Sequence, residues 1–188
     1  PEETAALWTD DGWMRTGDLG ELDDEGFLSI TGRKKDLLIT AGGKNVAPAE
    51  MENHLAAIPG VGQAVVVGDR QPYLCALLAL EEEALPDLCK AAGVPLAPLA
   101  EIAGNEQVLA FLADRVEEQC NSKVARYQTI KKFEVLPHML SVEGGELTPT
   151  MKVKRNIIND KYKAIIDRMY ASGGGDSFKP QQSAQPAR

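Results

Sequence analysis

Four short segments of this chain carry side chains of the right type and spacing for chemistry. Arg15-Thr16-Gly17-Asp18 sets a carboxylate beside a glycine turn. Its two oxygens can accept hydrogen bonds from a pair of vicinal hydroxyls at once. Gly32-Arg33-Lys34-Lys35-Asp36 is a charged run, and such a run is by default a solvated surface. Here an apolar run (35–40) and a glycine pair follow it directly, which argues against that default. Ala41-Gly42-Gly43-Lys44-Asn45-Val46 can turn sharply, and its glycines let bare backbone come close to a thin ligand. It is not a phosphate-cradling P-loop: the G-x-x-x-x-G-K-[ST] spacing fails, and Asn45 replaces the hydroxyl residue. Leu147-Thr148-Pro149-Thr150-Met151-Lys152-Val153-Lys154-Arg155 brings three cations to a predicted helix start. Cations are disfavoured at the positive end of a helix dipole, so the cluster is informative.

The rest of the chain narrows the choice. His54 and His138 have no Cys, Asp or Ser partner at useful spacing and read as surface or satisfied residues. Nothing resembles a Ser-His-Asp arrangement, and no metal site is expected. Glu81-Glu82-Glu83 reads as a solvated strand end. Cys75, Cys89 and Cys120 are odd in number and lack metal-ligand spacing, so buried or free thiols in a reducing compartment are expected. A formal net charge of -8 argues against nucleic acid as a partner and gives no general attraction to anionic lipid. No apolar run approaches the roughly 20 residues that span a bilayer. Pro1-Glu2-Glu3 reads as a cut inside a longer polypeptide.

Several elements must position these segments. A helix-like start is followed by a hairpin, its strands at 19–22 and 27–31 around Asp23-Asp24-Glu25-Gly26. The run 35–40 predicts a short strand. Pro48 opens an amphipathic helix with Met51, Leu55 and Ile58 on one face, stopped by Pro59-Gly60. The apolar runs 64–67 and 73–80 predict a buried hairpin. Helices are expected over 85–92 and 106–124, the second with Val108, Phe111, Leu112 and Val116 as its apolar stripe. A short strand is expected at 133–136, a loop at 141–150, and a final helix over 154–170 lined by Ile157, Ile158, Tyr162, Ile165, Ile166 and Met169. Trp8 and Trp13 are expected in the core. From 171 to 188 the Gly, Ser, Gln and Pro content predicts a disordered tail.

Taken in order, the four segments resemble the C-terminal part of an acyl-CoA synthetase of the adenylate-forming superfamily, which also holds luciferases and peptide-synthetase adenylation domains. The resemblance covers nearly all of residues 1–170. Thr148-Pro149-Thr150-Met151-Lys152, together with Thr40 and Asn45 where many members carry Lys and Arg, is similar to the long-chain, bubblegum-type branch. The resemblance implies that Asp18 bonds the ribose hydroxyls of the nucleotide and that Arg33 lies near the ribose. It makes Lys35 a hinge, and it lines a pantetheine tunnel with Gly42, Gly43, Lys44 and Asn45. Lys152 would be the catalytic lysine of adenylation, with Met151 replacing the usual glycine and Lys154 as the alternative.

The fold class expected is α+β. Residues 1–34 would end a large N-terminal AMP-binding domain, and residues 35–170 would form a small mobile C-terminal domain with a sheet packed by helices. The function implied is ATP-dependent ligation of a long-chain fatty acid to CoA through acyl-AMP, with ATP, Mg2+ and CoA required by the full-length enzyme. The metal site, phosphate loop and acyl tunnel are expected outside this chain, which alone should be inactive. Two other readings stand beside it: a non-catalytic docking module, and an adenylation enzyme that loads a carrier-protein thiol. The expected partners are its own N-terminal domain, fatty acid, ATP and CoA. A cytoplasmic location is expected, and peripheral membrane contact is compatible with it.

Overall fold

The structure, a computed structural model, describes residues 2–171. The expected disordered tail lies outside them, apart from Ala171, which ends the last helix. The predicted α+β organisation is observed, centred on a three-stranded sheet.

A short helix α1 (Glu2–Ala6) leads into the hairpin of β1 (Asp18–Leu22) and β2 (Leu28–Arg33), antiparallel as predicted. The side chain of Asp23 forms the turn by accepting from the Glu25 and Phe27 N–H groups. No residue before Leu38 is buried among those whose burial is described. Trp8 and Trp13 are 51% and 73% exposed, which corrects their expected place in the core. The segment around them closes on itself, through the Trp8–Met14 bridge and bonds between Thr9 and Trp13. Leu22, Phe27, Leu28 and Ile30 are exposed on the same hairpin, an apolar surface of the kind that marks a contact site.

A single 3-10 turn at Lys34–Asp36 separates this hairpin from the body. The expected strand at 35–40 is shorter than predicted: β3 (Leu38–Ile39) pairs with β4 (Asn45–Val46) around the glycine turn. Helix α2 (Pro48–Ala56) follows, with proline at its first turn and Met51 and Leu55 buried. Ile58 is buried just beyond its end.

Strands β5 (Val61–Val67) and β6 (Leu74–Leu80) are antiparallel neighbours, and β6 also pairs in parallel with β7 (Ile130–Leu136). Every residue of β6 is buried, the pattern of a central strand covered on both faces. Leu74, Ala76, Leu78 and Leu80 face one core cluster, while Cys75, Leu77 and Ala79 face the other. The first face is covered by α2, α3 (Leu85–Ala92), the short α4 (Leu99–Ile102) and α5 (Glu106–Gln119). The second is covered by α6 (Arg155–Lys161) and α7 (Lys163–Ala171). Burial pushes the thiols of Cys75 and Cys120 up to about 11, so neither is a thiolate at neutral pH.

Other boundaries differ from expectation as well, and β5 begins at Val61 where 64 was predicted. Helix α5 ends at Gln119, because Asn121 turns inward and pairs both ways with the Ile130 backbone (Nδ2 donates at 3.0 Å, Oδ1 accepts at 2.8 Å). Strand β7 starts at Ile130 instead of 133, and its register shifts where Lys131 intervenes. Its Lys132 and Glu134 are buried under α7, where Lys132 donates to the Met169 carbonyl and Arg168 meets Glu134. The predicted helix over 154–170 is divided at Tyr162, which ends α6. Of its predicted stripe, Ile158, Tyr162 and Met169 are buried, and Phe111 on α5 is only partly so.

Candidate active site

The hairpin register sets Asp18 opposite Arg33, and Arg33 Nε lies 3.3 Å from Asp18 Oδ1. Both side chains are part-exposed and line one open cleft of about 820 Å3 with Asn45, Glu50, Asn53 and Gln128. The β1–β2 hairpin forms one wall, while β4 and α2 form the other. The structure therefore brings together Asp18, Arg33 and Asn45, three of the sequence-predicted residues. Lys35 is exposed in the connecting 3-10 turn, between a segment with no buried side chain among those described and the packed body.

In the glycine turn, Gly43 takes φ +72°, the left-handed region that glycine enters without penalty. A Cβ at Gly43 would meet nothing within 4 Å, so the tip of the turn is open there. Thr40 closes it: its hydroxyl accepts from the Lys44 N–H, and the Thr40 N–H donates to the Lys44 carbonyl. The threonine at this position thus has a structural role that a lysine could not fill. Lys44 Nζ stands 5.8 Å from the Tyr127 ring centroid, within cation–π range.

Lys152 occupies a separate turn and does not line the cleft. Leu147 and Val153 form an antiparallel bridge, and Thr148 binds across the turn through its N–H to the Lys152 carbonyl at 2.8 Å. The Thr148 hydroxyl accepts from the Lys152 N–H at 3.0 Å. Met151 takes φ +60°, so the backbone keeps the left-handed form that glycine would take freely. A non-glycine residue pays roughly 1–2 kcal/mol for it. Lys152 is exposed at this turn, whereas Lys154 is half-buried at the start of α6 with its N–H held by the Glu146 carbonyl.

Sequence reasoning missed two groups here. Arg155 donates from Nη2 to both carboxylate oxygens of Glu52 (2.7 and 2.8 Å) and from Nη1 to the Val66 carbonyl. Glu52 also accepts from the Val66 N–H, so α2, β5 and α6 meet at one bidentate pair. The residues lie 103 apart, beyond any local signal. The second group surrounds Glu146, whose side chain is fully buried and which accepts from Lys161, the Tyr162 hydroxyl and the Ser141 N–H. His138 also reaches this group, 3.7 Å from Glu146.

Burial would raise the Glu146 carboxyl, but its donors outweigh burial and hold it down at about 2. A depressed carboxylate stabilises the fold above its unfolded value near 4.5, and that stability disappears as pH falls from there toward 2. The interval corresponds to about 3 kcal/mol. Glu134, raised mainly by its burial, works in the opposite sense and becomes less costly on acidification. Urea unfolding of wild type and Glu146→Gln between pH 5 and 2.5 should therefore show a steep acid loss in the wild type. The variant's curve should be flatter by about 2–3 kcal/mol over that interval; parallel curves would remove this role.

These features can be set against known proteins. The fold is that of the C-terminal part of adenylation domains. The A domain of carboxylic acid reductase from Segniliparus rugosus matches with TM-score 0.73 over 92% of this chain and 25% of that one, at 24% identity, a likeness of fold alone. In sequence, the chain is 44% identical over 164 residues to the long-chain-fatty-acid–CoA ligase FadD15 of Mycobacterium tuberculosis, covering 85% of this chain and 27% of that protein. It is 37% identical over 177 residues to the long-chain-fatty-acid–CoA ligase ACSBG1 of Rattus norvegicus, covering 85% of this chain and 24% of that protein. The chain thus spans about a quarter of the length of these relatives. The AMP-binding enzyme C-terminal domain family matches residues 35–173, and the chain belongs to that family. The resemblance read from the four segments is borne out.

Among the described residues no helix is long and apolar enough to cross a membrane, and no group of three or more His, Cys, Asp or Glu could hold a metal.

Proposed function

We propose that this chain is the C-terminal part of a long-chain fatty acid–CoA ligase that works through acyl-AMP. The observation that carries the reading is the 44% identity to such a ligase over 85% of the chain. Residues 1–34 would complete an AMP-binding domain, covering the exposed apolar hairpin, and residues 35–170 would move as one body about Lys35. In adenylation the Lys152 ammonium would bond the fatty carboxylate and the α-phosphate, offsetting charge as the mixed anhydride forms. Asp18 would accept from both ribose hydroxyls, and Arg33 holds that carboxylate in place. After rotation, the Gly42-Gly43 turn with Lys44 and Asn45 would line the path of the CoA pantetheine, and the thiol would displace AMP. The described residues offer no acidic cluster for Mg2+, which would be held by the remainder of the protein. Three buried, free thiols would suit a reducing compartment such as the cytoplasm.

The test uses the full-length protein with ATP, Mg2+ and a long-chain fatty acid, offered CoA or a phosphopantetheinyl carrier protein. Acyl-CoA and AMP are expected, with the carrier left unacylated, and the 188-residue chain alone should give no ATP–pyrophosphate exchange. Preferential acylation of the carrier, or exchange by the isolated chain, would overturn the reading.

A further inference from the structure

Among the described residues Glu146 is the most completely buried acid, and nothing in the function proposed above uses it. It lies in a loop between a glycine pair and the Lys152 turn. An ionised side chain in such a place is costly unless its partners are arranged around it. Here they are. Lys161 and the Tyr162 hydroxyl (3.0 Å) both donate to Oε1, and the Ser141 N–H donates to Oε2 at 3.3 Å. His138 Nε2 bonds the same Tyr162 hydroxyl at 3.1 Å.

The main chain of Glu146 closes the other side. Its carbonyl accepts from the Lys154 N–H at 2.8 Å, and the next N–H, of Leu147, donates to the Ser141 carbonyl. One residue therefore ties the start of the loop, its end before α6, and the far end of α6. Gly144 shows that the loop is built around the carboxylate: a Cβ there would sit 2.1 Å from Glu146 Oε2. Between these ties stands the turn from Thr148 to Lys152, braced by the Thr148 hydroxyl.

We propose that Glu146 is a positioning residue for Lys152, fixing the loop 141–154 onto α6 so that the ammonium is presented at one set place. The inference rests on Lys152 being the adenylation lysine. A catalytic charge acts fully only when held near its productive position, and a loop free to move loses much of that advantage.

The test is Glu146→Gln in the full-length ligase, which keeps the shape but removes the charge that Lys161 and Tyr162 meet. The kcat of acyl-AMP formation should fall about 10- to 100-fold with the KM for ATP nearly unchanged. Thioester formation from supplied acyl-AMP should stay within about twofold. Hydrogen exchange should speed up at the Lys152 and Lys154 amides but not in β6. Equal loss of both half-reactions, or an unchanged adenylation rate, would overturn the proposal. Should Glu146→Gln fail to accumulate as folded protein, Tyr162→Phe removes one donor, and the same readouts decide in the same way. Lys152→Ala, run alongside, separates the two possible failures. If it loses both half-reactions equally, the lysine assignment falls and this inference with it. If it splits them and Glu146→Gln does not, only the positioning role falls.

Discussion

On the function proposed above, Lys152→Ala in the full-length protein is expected to slow acyl-AMP formation by about 100- to 1,000-fold, the range seen when one preorganised charge-stabilising donor is lost. Thioester formation from supplied acyl-AMP should change by less than about twofold, because that step is assigned to the glycine turn on another part of the domain. The expected split comes from geometry. Lys152 is exposed on a braced turn, does not line the Asp18–Arg33 cleft, and can act there only if the body carries it in. Lys154→Ala should leave adenylation much less affected, since Lys154 is half-buried at the start of α6 and lies outside the exposed turn that presents Lys152. Stopped-flow or pyrophosphate-release measurements on both variants give the answer. A larger loss in Lys154→Ala than in Lys152→Ala would move the catalytic role two residues along.

A second large effect is expected at the pair joining α2 to α6. Arg155→Ala and Glu52→Ala should each lower unfolding stability by about 2–4 kcal/mol, somewhat below the loss for a fully buried pair. The discount follows from exposure: the two side chains are 22% and 16% accessible. Each truncation leaves the other charge without its partner, and Arg155→Ala also frees the Val66 carbonyl. Arg155→Lys should not restore the wild-type value, because a single ammonium cannot bond Glu52 and the Val66 carbonyl from separate nitrogens as Nη2 and Nη1 do. Denaturant melts of both singles and the double variant form a cycle. The double variant should lose at least about 1 kcal/mol less than the sum of the singles. Strict additivity would show that the contact carries no coupling.

Much of this architecture was legible from local pattern. The run 73–80 is apolar throughout and became the central strand, since both of its faces are covered. Helix α3 matches its predicted 85–92 range, ended by Gly93 in the left-handed form. Pro48 and the glycine pair announced α2 and the turn before it. What stayed hidden depended on contacts distant in sequence. The charges of Lys131 and Lys132 disguised the start of β7, because the aliphatic stem of one lies under α7 and the other marks a register shift. Asn121 ended α5 by binding Ile130, with no Gly or Pro to signal the stop. The division at Tyr162 likewise has no breaker; the ring hydroxyl is drawn to Glu146. The tryptophans were misplaced because hydrophobicity reports a preference for cover and not which surface supplies it. Within the candidate site, residue types marked Asp18, Arg33 and Lys152, but Glu52, Arg155 and Glu146 gained meaning only from their partners.

The Glu52–Arg155 clamp, closed through Val66, leaves the glycine turn and the lysine turn little freedom to drift relative to each other. On the reading proposed here, they are two tools fixed to one handle. A substitution in the shared body that tilts the handle degrades both chemical steps together, whereas changes in a turn, or in the side chains that brace it, can tune one step alone.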